Sequence, residues 1–375
     1  MIDLSNYLIQ GEPDQKERGH VWYTAIGLQK TDGLTPSDYL IATANKSING
    51  DITLAEARSL IDGYYKQKDV QIEDTTRTEE ADKVAARIAV VLAEKTFSFS
   101  PIEYITIHRR LFEGTYRFAG QIRDYNISKN EWVLNGETVY YVSAQSIRDT
   151  LDYDFLQEKN YDYKGLSLAE IARHVATFIS GIWQIHAFGE GNTRTSAVFA
   201  IKYLRSFGFD VTNDIFAENA WYFRNALVRA NYSDLRRGIH ATREYLDRFF
   251  ANLLLGESNV LRNRELRVKL TVAVPVNDPV NDPRNDPTND PTNDPVSDPV
   301  SDPVKITATG RKVLAALGKN PHVTAVQLAG QFHVSEKTVK RTLATLKAAG
   351  LIERKGSTKM GHWILTQTSS RHTPR

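Results

Sequence analysis

Ile171, Val175, Phe178, Ile182 and Ile185 recur at spacings of four, three, four and three residues, which puts them on one buried stripe of an α-helix. Ser167 and Glu170, just ahead of the stripe, form a capping-box pattern that starts this helix at Leu168. The stripe runs straight into His186. A second helical face begins after Arg194 with Ala197, Ile201 and Leu204, and Gly208 is a suitable stop. His186-Ala187-Phe188-Gly189-Glu190-Gly191-Asn192-Thr193-Arg194 is therefore read as the loop between two packed helices.

The same patterning organises the rest of the chain. Residues 1–70 are read as helical: Thr35-Pro36-Ser37-Asp38 carries Pro at a first helical position, and Thr53 with Glu56 caps a face of Leu54, Ala57, Leu60, Ile61 and Tyr64. Residues 75–118 hold at least two helices, one with Val84, Ile88, Val91 and Leu92 on its inner face. Trp132-Val133-Leu134, Asn135-Gly136 and Glu137-Thr138-Val139-Tyr140-Tyr141 read as a β-hairpin, because Asn-Gly between two β-prone runs favours the tight hairpin turn. Another helix begins at Glu218.

From Val276 to Pro303 seven tetrapeptides of the type Val-Asn-Asp-Pro follow one another. Pro at every fourth position removes donors and forbids helix, so this is read as an extended acidic linker. Beyond it, Gly310–Leu317, a segment from Thr324, and Glu336–Ala349 read as three helices, the last preceded by the turn His333-Val334-Ser335. Lys355–Gly361 and Trp363-Ile364-Leu365 close this part. The fold expected is mainly α: a helical domain with a β-hairpin, and a small C-terminal domain on a linker. The boundaries are 1–70, 71–255, 256–303 and 304–368.

Charge sharpens this division. The chain of 375 residues has a net charge of only +2, but residues 304–375 carry 13 Lys and Arg against Glu336 and Glu353, a balance of +11. Residues 276–303 carry seven Asp against Arg284, or −6. Such asymmetry points to a polyanion partner for the C-terminal end. The absence of Cys excludes disulfides and thiolate metal sites. No apolar leader and no run of membrane-spanning length is present, so a cytoplasmic protein with no membrane partner is expected.

The residue types in the loop suit phosphate chemistry. A loop with Gly191 and Asn192 that opens a helix directs backbone N–H groups at one spot, a ready anion site. Arg194 adds a fork for phosphate oxygens. Glu190 offers a hard oxygen for Mg²⁺, and His186 can take a proton near neutral pH. Phe188 is expected to point inward and pin the loop. His108, His174 and His240 have no second ligand four residues away and read as structural or solvated.

These residues resemble the Fic family, whose motif reads His-x-Phe-x-(Asp/Glu)-Gly-Asn-Gly-Arg-x-x-Arg. His186, Phe188, Glu190, Gly191, Asn192 and Arg194 match in register. The resemblance implies a nucleotidyl transferase that moves AMP from ATP to a protein hydroxyl. His186 would be the base, Glu190 would hold Mg²⁺, and Gly191, Asn192, Thr193 and Arg194 would bind the phosphates. Thr193 replaces the second Gly of the motif and Ala197 its last Arg, which the family uses on the far phosphate and in regulation. Both departures bear on nucleotide choice and rate.

Further expectations follow from the resemblance. Tyr116–Arg123 looks like the entry to the family's flap, which pairs with the target's extended backbone, and Val133 and Leu134 become clamp residues. The helix from Glu218 would line the base pocket with Tyr222 and Asn225, against the plainer reading of these two as core. Residues 1–70 resemble the small antitoxins of Fic toxins, whose inhibitory helix carries (Ser/Thr)-x-x-x-Glu-(Gly/Asn); a plain helical extension is the alternative. Leu28 stands in the Ser/Thr place and Asp32 in the Glu place. With Asp32 shortened and Ala197 neutral, inhibition is expected from packing around Leu28 rather than from a charge clamp.

Residues 304–368 resemble a winged helix-turn-helix domain, with Lys337, Lys340 and Arg341 on the helix entering the major groove and Lys355 and Lys359 on the wing. The alternative is a basic protein-interaction module. Partners expected are a nucleoside triphosphate, a target protein and duplex DNA; oligomerisation is left open. A competing class is a DNA-binding regulator whose Fic domain is a weakened nucleotide sensor. A winged helix predicts that a 304–375 fragment binds duplex DNA with affinity falling steeply as salt rises. Substitution of Lys337 or Arg341 should relax sequence preference, and of Lys355 or Lys359 should weaken binding uniformly. A salt-titrated gel shift checks this, and no binding at low salt would favour the protein-interaction role.

Overall fold

The computed structural model describes residues 13–67, 73–212 and 214–268, and beyond them 313–314, 316–317, 323–332, 339–340, 342–343, 346–347, 352–355 and 362–365. The chain divides into two compact units, Met1–Val300 and Ser301–Arg375.

The helices of the first unit start where the capping chemistry places them. Helix α1 spans Pro13–Gly27 and runs into a 3-10 turn, Leu28–Asp32, closed by Gly33 in the left-handed conformation. Ser37 caps α2 (Asp38–Asn49) by accepting from Leu40 N–H at 3.1 Å. Thr53 and Glu56 form the expected reciprocal cap of α3 (Leu54–Gln67). Next come α4 (Glu73–Ala93), α5 (Pro101–Phe112, capped by Ser100) and α6 (Ile147–Lys159). Helix α7, Leu168–Ile185, has the capping box read at Ser167 and Glu170, and α8 spans Asn192–Ser206. The short α9 (Ile215–Glu218), then α10 (Ala220–Ala230), α11 (Glu244–Leu255) and the short α12 (Asn263–Leu266) complete the unit.

One hydrophobic core runs from Val21 to Val268. Trp22, Leu28, Leu40, Ile48 and Ile61 belong to it together with Phe188, Phe199 and Phe223. The described residues from Val21 to Tyr65 are thus built into the same core as the domain that follows. Helix α1 packs along α4, and the 3-10 turn at Leu28–Asp32 wedges between α8 and α10. Asp82 on α4 ties the first helices down: it accepts from Ser37 N–H at 2.8 Å, Ser37 O–H at 2.5 Å and Tyr65 O–H at 2.7 Å, and is fully buried.

The expected β-hairpin is corrected in part. The turn is there: Asn135 and Gly136 both have positive φ, 57° and 91°, as a tight hairpin turn requires. Strands are not assigned among the described residues flanking it, and Trp132–Leu134 is a 3-10 turn. Side-chain ties replace much of a ladder here: Lys129 N–H donates to Thr138 Oγ1 at 3.0 Å, and Tyr141 O–H to Glu131 Oε1 at 3.2 Å. Val133 and Leu134 are fully buried, so their side chains belong to the core and cannot clamp a target. The backbone of this turn is strapped from elsewhere. Val268 N–H donates to Val133 O at 2.8 Å, and Asn135 Nδ2 donates to Val268 O at 3.0 Å.

In the second unit Ala325–Phe332 forms α13, capped reciprocally by Thr324 and Gln327. Strands β1 (Ile352–Lys355) and β2 (His362–Leu365) pair antiparallel with Ile352 opposite Leu365. Val313, Leu317, Leu328, Val339, Leu343, Leu346 and Ile352 form its core. Lys340 is exposed and Lys355 ends β1. Lys337, Arg341, Lys359 and the repeats at 276–303 lie outside the described residues.

Asp82→Ala removes a buried acceptor from three donors and should lower the unfolding free energy by about 2 kcal/mol or more. Urea denaturation checks it, and a loss under about 0.5 kcal/mol, the range of ordinary surface changes, would show that Asp82 does not anchor these helices.

Candidate functional site

The two helices that carry the motif present it as the sequence suggests. Helix α7 ends at His186, which takes left-handed angles (φ 50°, ψ 56°), a conformation costly for a residue with a Cβ. Arg123 holds that end: its Nε donates to His186 O at 2.7 Å, a second guanidinium nitrogen donates to Ile185 O at 3.3 Å, and its backbone N–H donates to Ala187 O at 2.9 Å. Phe188 is buried and stacks on His108 at 3.7 Å, as expected of a pin. His108 is structural in a specific way. Its Nδ1 accepts from Gly120 N–H at 2.8 Å, which leaves Nε2–H to donate to Glu190 O at 3.0 Å. Burial lowers its pKa to about 3, so it stays neutral.

Asn192 closes the loop on itself. Its side chain accepts from Phe188 N–H at 3.0 Å and donates to Phe188 O at 2.8 Å. Gly191 caps α8 with φ of 76°, and a Cβ there would meet the Phe112 ring at 2.4 Å, so only glycine fits. The first intrahelical bond of α8 is Thr195 N–H to Gly191 O, and the N–H groups of Asn192, Thr193 and Arg194 head the helix before it.

These elements border a cavity of about 10 Å³, lined by Asp32, Lys129, Trp183, His186, Glu190, Asn192, Thr193 and Arg224. That is room for about one water. His186 lies against the Tyr141 ring, 4.0 Å between centroids, and its Nδ1 is buried without a hydrogen-bond partner. Burial first, then the nearby Lys129 charge, hold its pKa well below the usual value, so the ring is neutral and able to accept a proton. Glu190 carries Lys129 Nζ at 2.8 Å on one oxygen and accepts Gly191 N–H at 3.2 Å on the other. Burial works against its ionisation, but Lys129 and Gly191 prevail and draw the carboxyl down to about 2.

Arg194 is fully buried and does not line the cavity. Its Nε is 2.6 Å from Asp32 Oδ2, and its other nitrogens reach Glu80 Oε1 at 2.6 Å, Tyr116 O–H at 3.1 Å and Gln29 Oε1 at 3.2 Å. Its flat face covers the Phe112 ring at 4.8 Å. Burial opposes the charge, but Asp32, Tyr116 and Glu80 outweigh it and keep the guanidinium protonated. The expectation that Asp32 lacks a charged partner is thus corrected: Asp32 pairs with the first arginine of the motif, while Leu28 beside it is fully buried in the core.

The remaining expected residues fall elsewhere. Tyr222 is buried with its O–H on Tyr245 O at 3.2 Å, and Asn225 is buried with Nδ2 on Asn263 Oδ1 at 2.9 Å. Neither lines the cavity, because the face of α10 that does presents Arg224. Arg224 pairs with Glu131 at 2.8 Å. Lys129, Arg123, Arg224 and Trp183 were not singled out in the sequence; the three cations are common residue types whose main partners are distant along the chain, while Trp183 sits within the helical stripe with its partners His186 and Thr193 close by. Thr193 Oγ1 accepts the Trp183 indole N–H at 3.0 Å.

As a cation site, Glu190 fits Mg²⁺ by its chemistry: it is ionised, half-buried and already holds an ammonium. No group of three or more His, Asp or Glu suited to a metal occurs among the described residues, so phosphate oxygens would have to complete the coordination.

Parts of the chain are similar to known proteins. Residues 98–204 match the Fic/DOC family and residues 306–353 the winged helix-turn-helix DNA-binding family. The probable protein adenylyltransferase y4lH of Sinorhizobium fredii is 28% identical over 133 residues, 35% of this chain and 65% of that protein. Protein adenylyltransferase VbhT of Bartonella schoenbuchensis is 26% identical over 108 residues, 29% of this chain and 21% of that protein. The chain thus spans less than two thirds of either relative. The N-terminal FIC domain of Bep8 from Bartonella sp. 1-1C is 19% identical, covers 50% of this chain and 88% of that structure, and has a TM-score of 0.39.

Thr193→Val keeps the shape of the side chain but leaves the buried Trp183 N–H without its acceptor. It should lower the unfolding free energy by about 1–3 kcal/mol in denaturant titration. An unchanged midpoint and slope would mean that the indole bond contributes nothing.

Proposed function

Because the chain carries a Fic/DOC-family domain at 98–204 joined to a winged helix-turn-helix domain at 306–353, we propose that it transfers a nucleoside monophosphate, AMP first among them, from a nucleoside triphosphate to a hydroxyl side chain of a target protein. The observation that carries this is the cavity in which a neutral His186, the ionised Glu190 and the head of α8 at Asn192 and Thr193 meet. The relatives named protein adenylyltransferases support AMP as the group moved.

In this reading the triphosphate lies against the head of α8, where helix N–H groups and dipole favour anions. His186 takes the proton from the incoming hydroxyl as its oxygen bonds to the α-phosphorus and pyrophosphate departs. Mg²⁺ would be held by Glu190 and would neutralise phosphate charge. In place of a metal, Lys129 holds Glu190 in the present arrangement, so a metal has to share or displace it. Access is controlled by the N-terminal region. With Asp32 and Glu80 on Arg194 and about 10 Å³ of free space, the site is closed to a nucleotide until the turn at Leu28–Asp32 moves.

One observation favours a second reading, a DNA-binding regulator that senses nucleotide without transferring it. The motif arginine is wholly occupied by protein groups, and a winged helix is present. The two separate by incubation of the chain carrying Asp32→Ala, which removes a carboxylate from the cavity, with labelled ATP, GTP, CTP or UTP and Mg²⁺. The transferase is expected to yield a labelled protein band that disappears in His186→Ala while nucleotide binding persists. Glu190→Gln should remove the Mg²⁺ dependence of nucleotide affinity. Full labelling by His186→Ala would sink the assignment of the base, and binding with no labelling by any nucleotide would favour the sensor.

A further inference from the structure

We propose that Arg224 is a phosphate-binding residue, supplying from α10 the guanidinium that position 197 lacks; this rests on the nucleotidyl-transfer reading above. Ala197 is fully buried on α8 and offers no donor. Arg194, the other motif position with a guanidinium, is held behind Asp32 and does not border the cavity. Two cations do border it, Lys129 and Arg224. Lys129 lies on the Glu190 carboxylate at 2.8 Å, so its charge answers an anion already in the site.

Arg224 is placed differently. One nitrogen is 2.8 Å from Glu131 Oε2 and the other donates to Glu131 Oε1 at 3.4 Å, so the carboxylate takes one edge of the fork. The guanidinium carbon is 5.2 Å from the Trp221 ring. A planar guanidinium has five donors in a rigid arrangement and can serve a carboxylate on one edge and a phosphate on another. The residue is 8% exposed and lines the same cavity as Asp32 of the N-terminal turn and the base His186.

The same cavity receives the head of α8 at Asn192 and Thr193, where an anion is favoured, so the partner that fits Arg224 is a phosphate rather than a nucleobase. Glu131 also accepts the Tyr141 O–H at 3.2 Å, and the Tyr141 ring lies 4.0 Å from His186. One carboxylate thereby orients both the guanidinium and the ring that backs the base.

The test is calorimetric binding of ATP, ADP, AMP and adenosine to the full chain carrying Asp32→Ala, which removes the carboxylate that lines the cavity and pairs with Arg194 Nε. Adding Arg224→Met should weaken ATP binding about tenfold or more, ADP less and AMP least, with adenosine unaffected. Arg224→Lys keeps a charge opposite Glu131 without the fork and should fall between. Glu131→Gln keeps the fork and should lose less than Arg224→Met. If the single Met variant does not fold, Glu131→Gln with Arg224→Met removes both buried charges and should give the same ranking. Unchanged ATP affinity in Arg224→Met overturns the proposal, and so does an equal loss for all four ligands, which would make Arg224 a base contact. A loss in Glu131→Gln as large as in Arg224→Met also overturns it, since the pair would then be structural. If the Asp32→Ala parent binds none of ATP, GTP, CTP or UTP, the nucleotidyl-transfer reading itself fails.

Discussion

The buried Arg194 guanidinium is the contact on which the rest of this molecule is arranged. A cation taken out of water must be met by charge and hydrogen bonds or it destabilises the fold. Here Asp32 and Gln29 come from the turn after α1, Glu80 from α4, Tyr116 from the segment after α5, and Phe112 lies under the flat face. Three separate stretches of chain therefore converge on the first turn of α8. The N-terminal helices cannot leave without unpairing Arg194, and the loop cannot offer that arginine to a ligand while they stay.

The cavity in front of this clamp has a balanced set of charges. Asp32 and Glu190 face Lys129 and Arg224, and the remaining titratable group in the lining, His186, is neutral. A triphosphate would add several negative charges to that set, so loss of the Asp32 carboxylate changes both the space and the sign of the site. The turn at 132–136 is fastened to the same machinery. Glu131 pairs with Arg224, and Val268 holds the backbone at Val133. Asn263 holds Asn225 on the same helix as Arg224, so the chain from 263 to 268 touches both the cavity helix and the turn.

The local chemistry of the fold was legible in the sequence wherever it is short-range. The caps at Thr53 and Ser167, the stripe of α7, the inward Phe188 and the Asn135-Gly136 turn are decided by residues within a few positions of one another, whereas Pro36, expected at a first helical position, lies ahead of the Ser37 cap. What failed was long-range. The flap was read as two strands because Trp, Val, Leu and Tyr favour strands, but tertiary contacts made Trp132–Leu134 a 3-10 turn and buried Val133 and Leu134. Tyr222 and Asn225 share a helical face, and only the packing of α10 determines that Arg224, not they, meets the cavity. The partner of Asp32 was sought at position 197 from the motif pattern, whereas the shorter side chain reaches Arg194.

The measurement that tests the clamp most directly is ATP affinity of the full chain and of its Asp32→Ala variant, side by side in calorimetry. The clamp predicts that the variant binds at least about tenfold more tightly, since the cavity loses a lining carboxylate and Arg194 loses one of its two carboxylate partners. Equal affinity in the two proteins would contradict it, and would mean that the Asp32–Arg194 pair is scaffolding rather than the lock on the site.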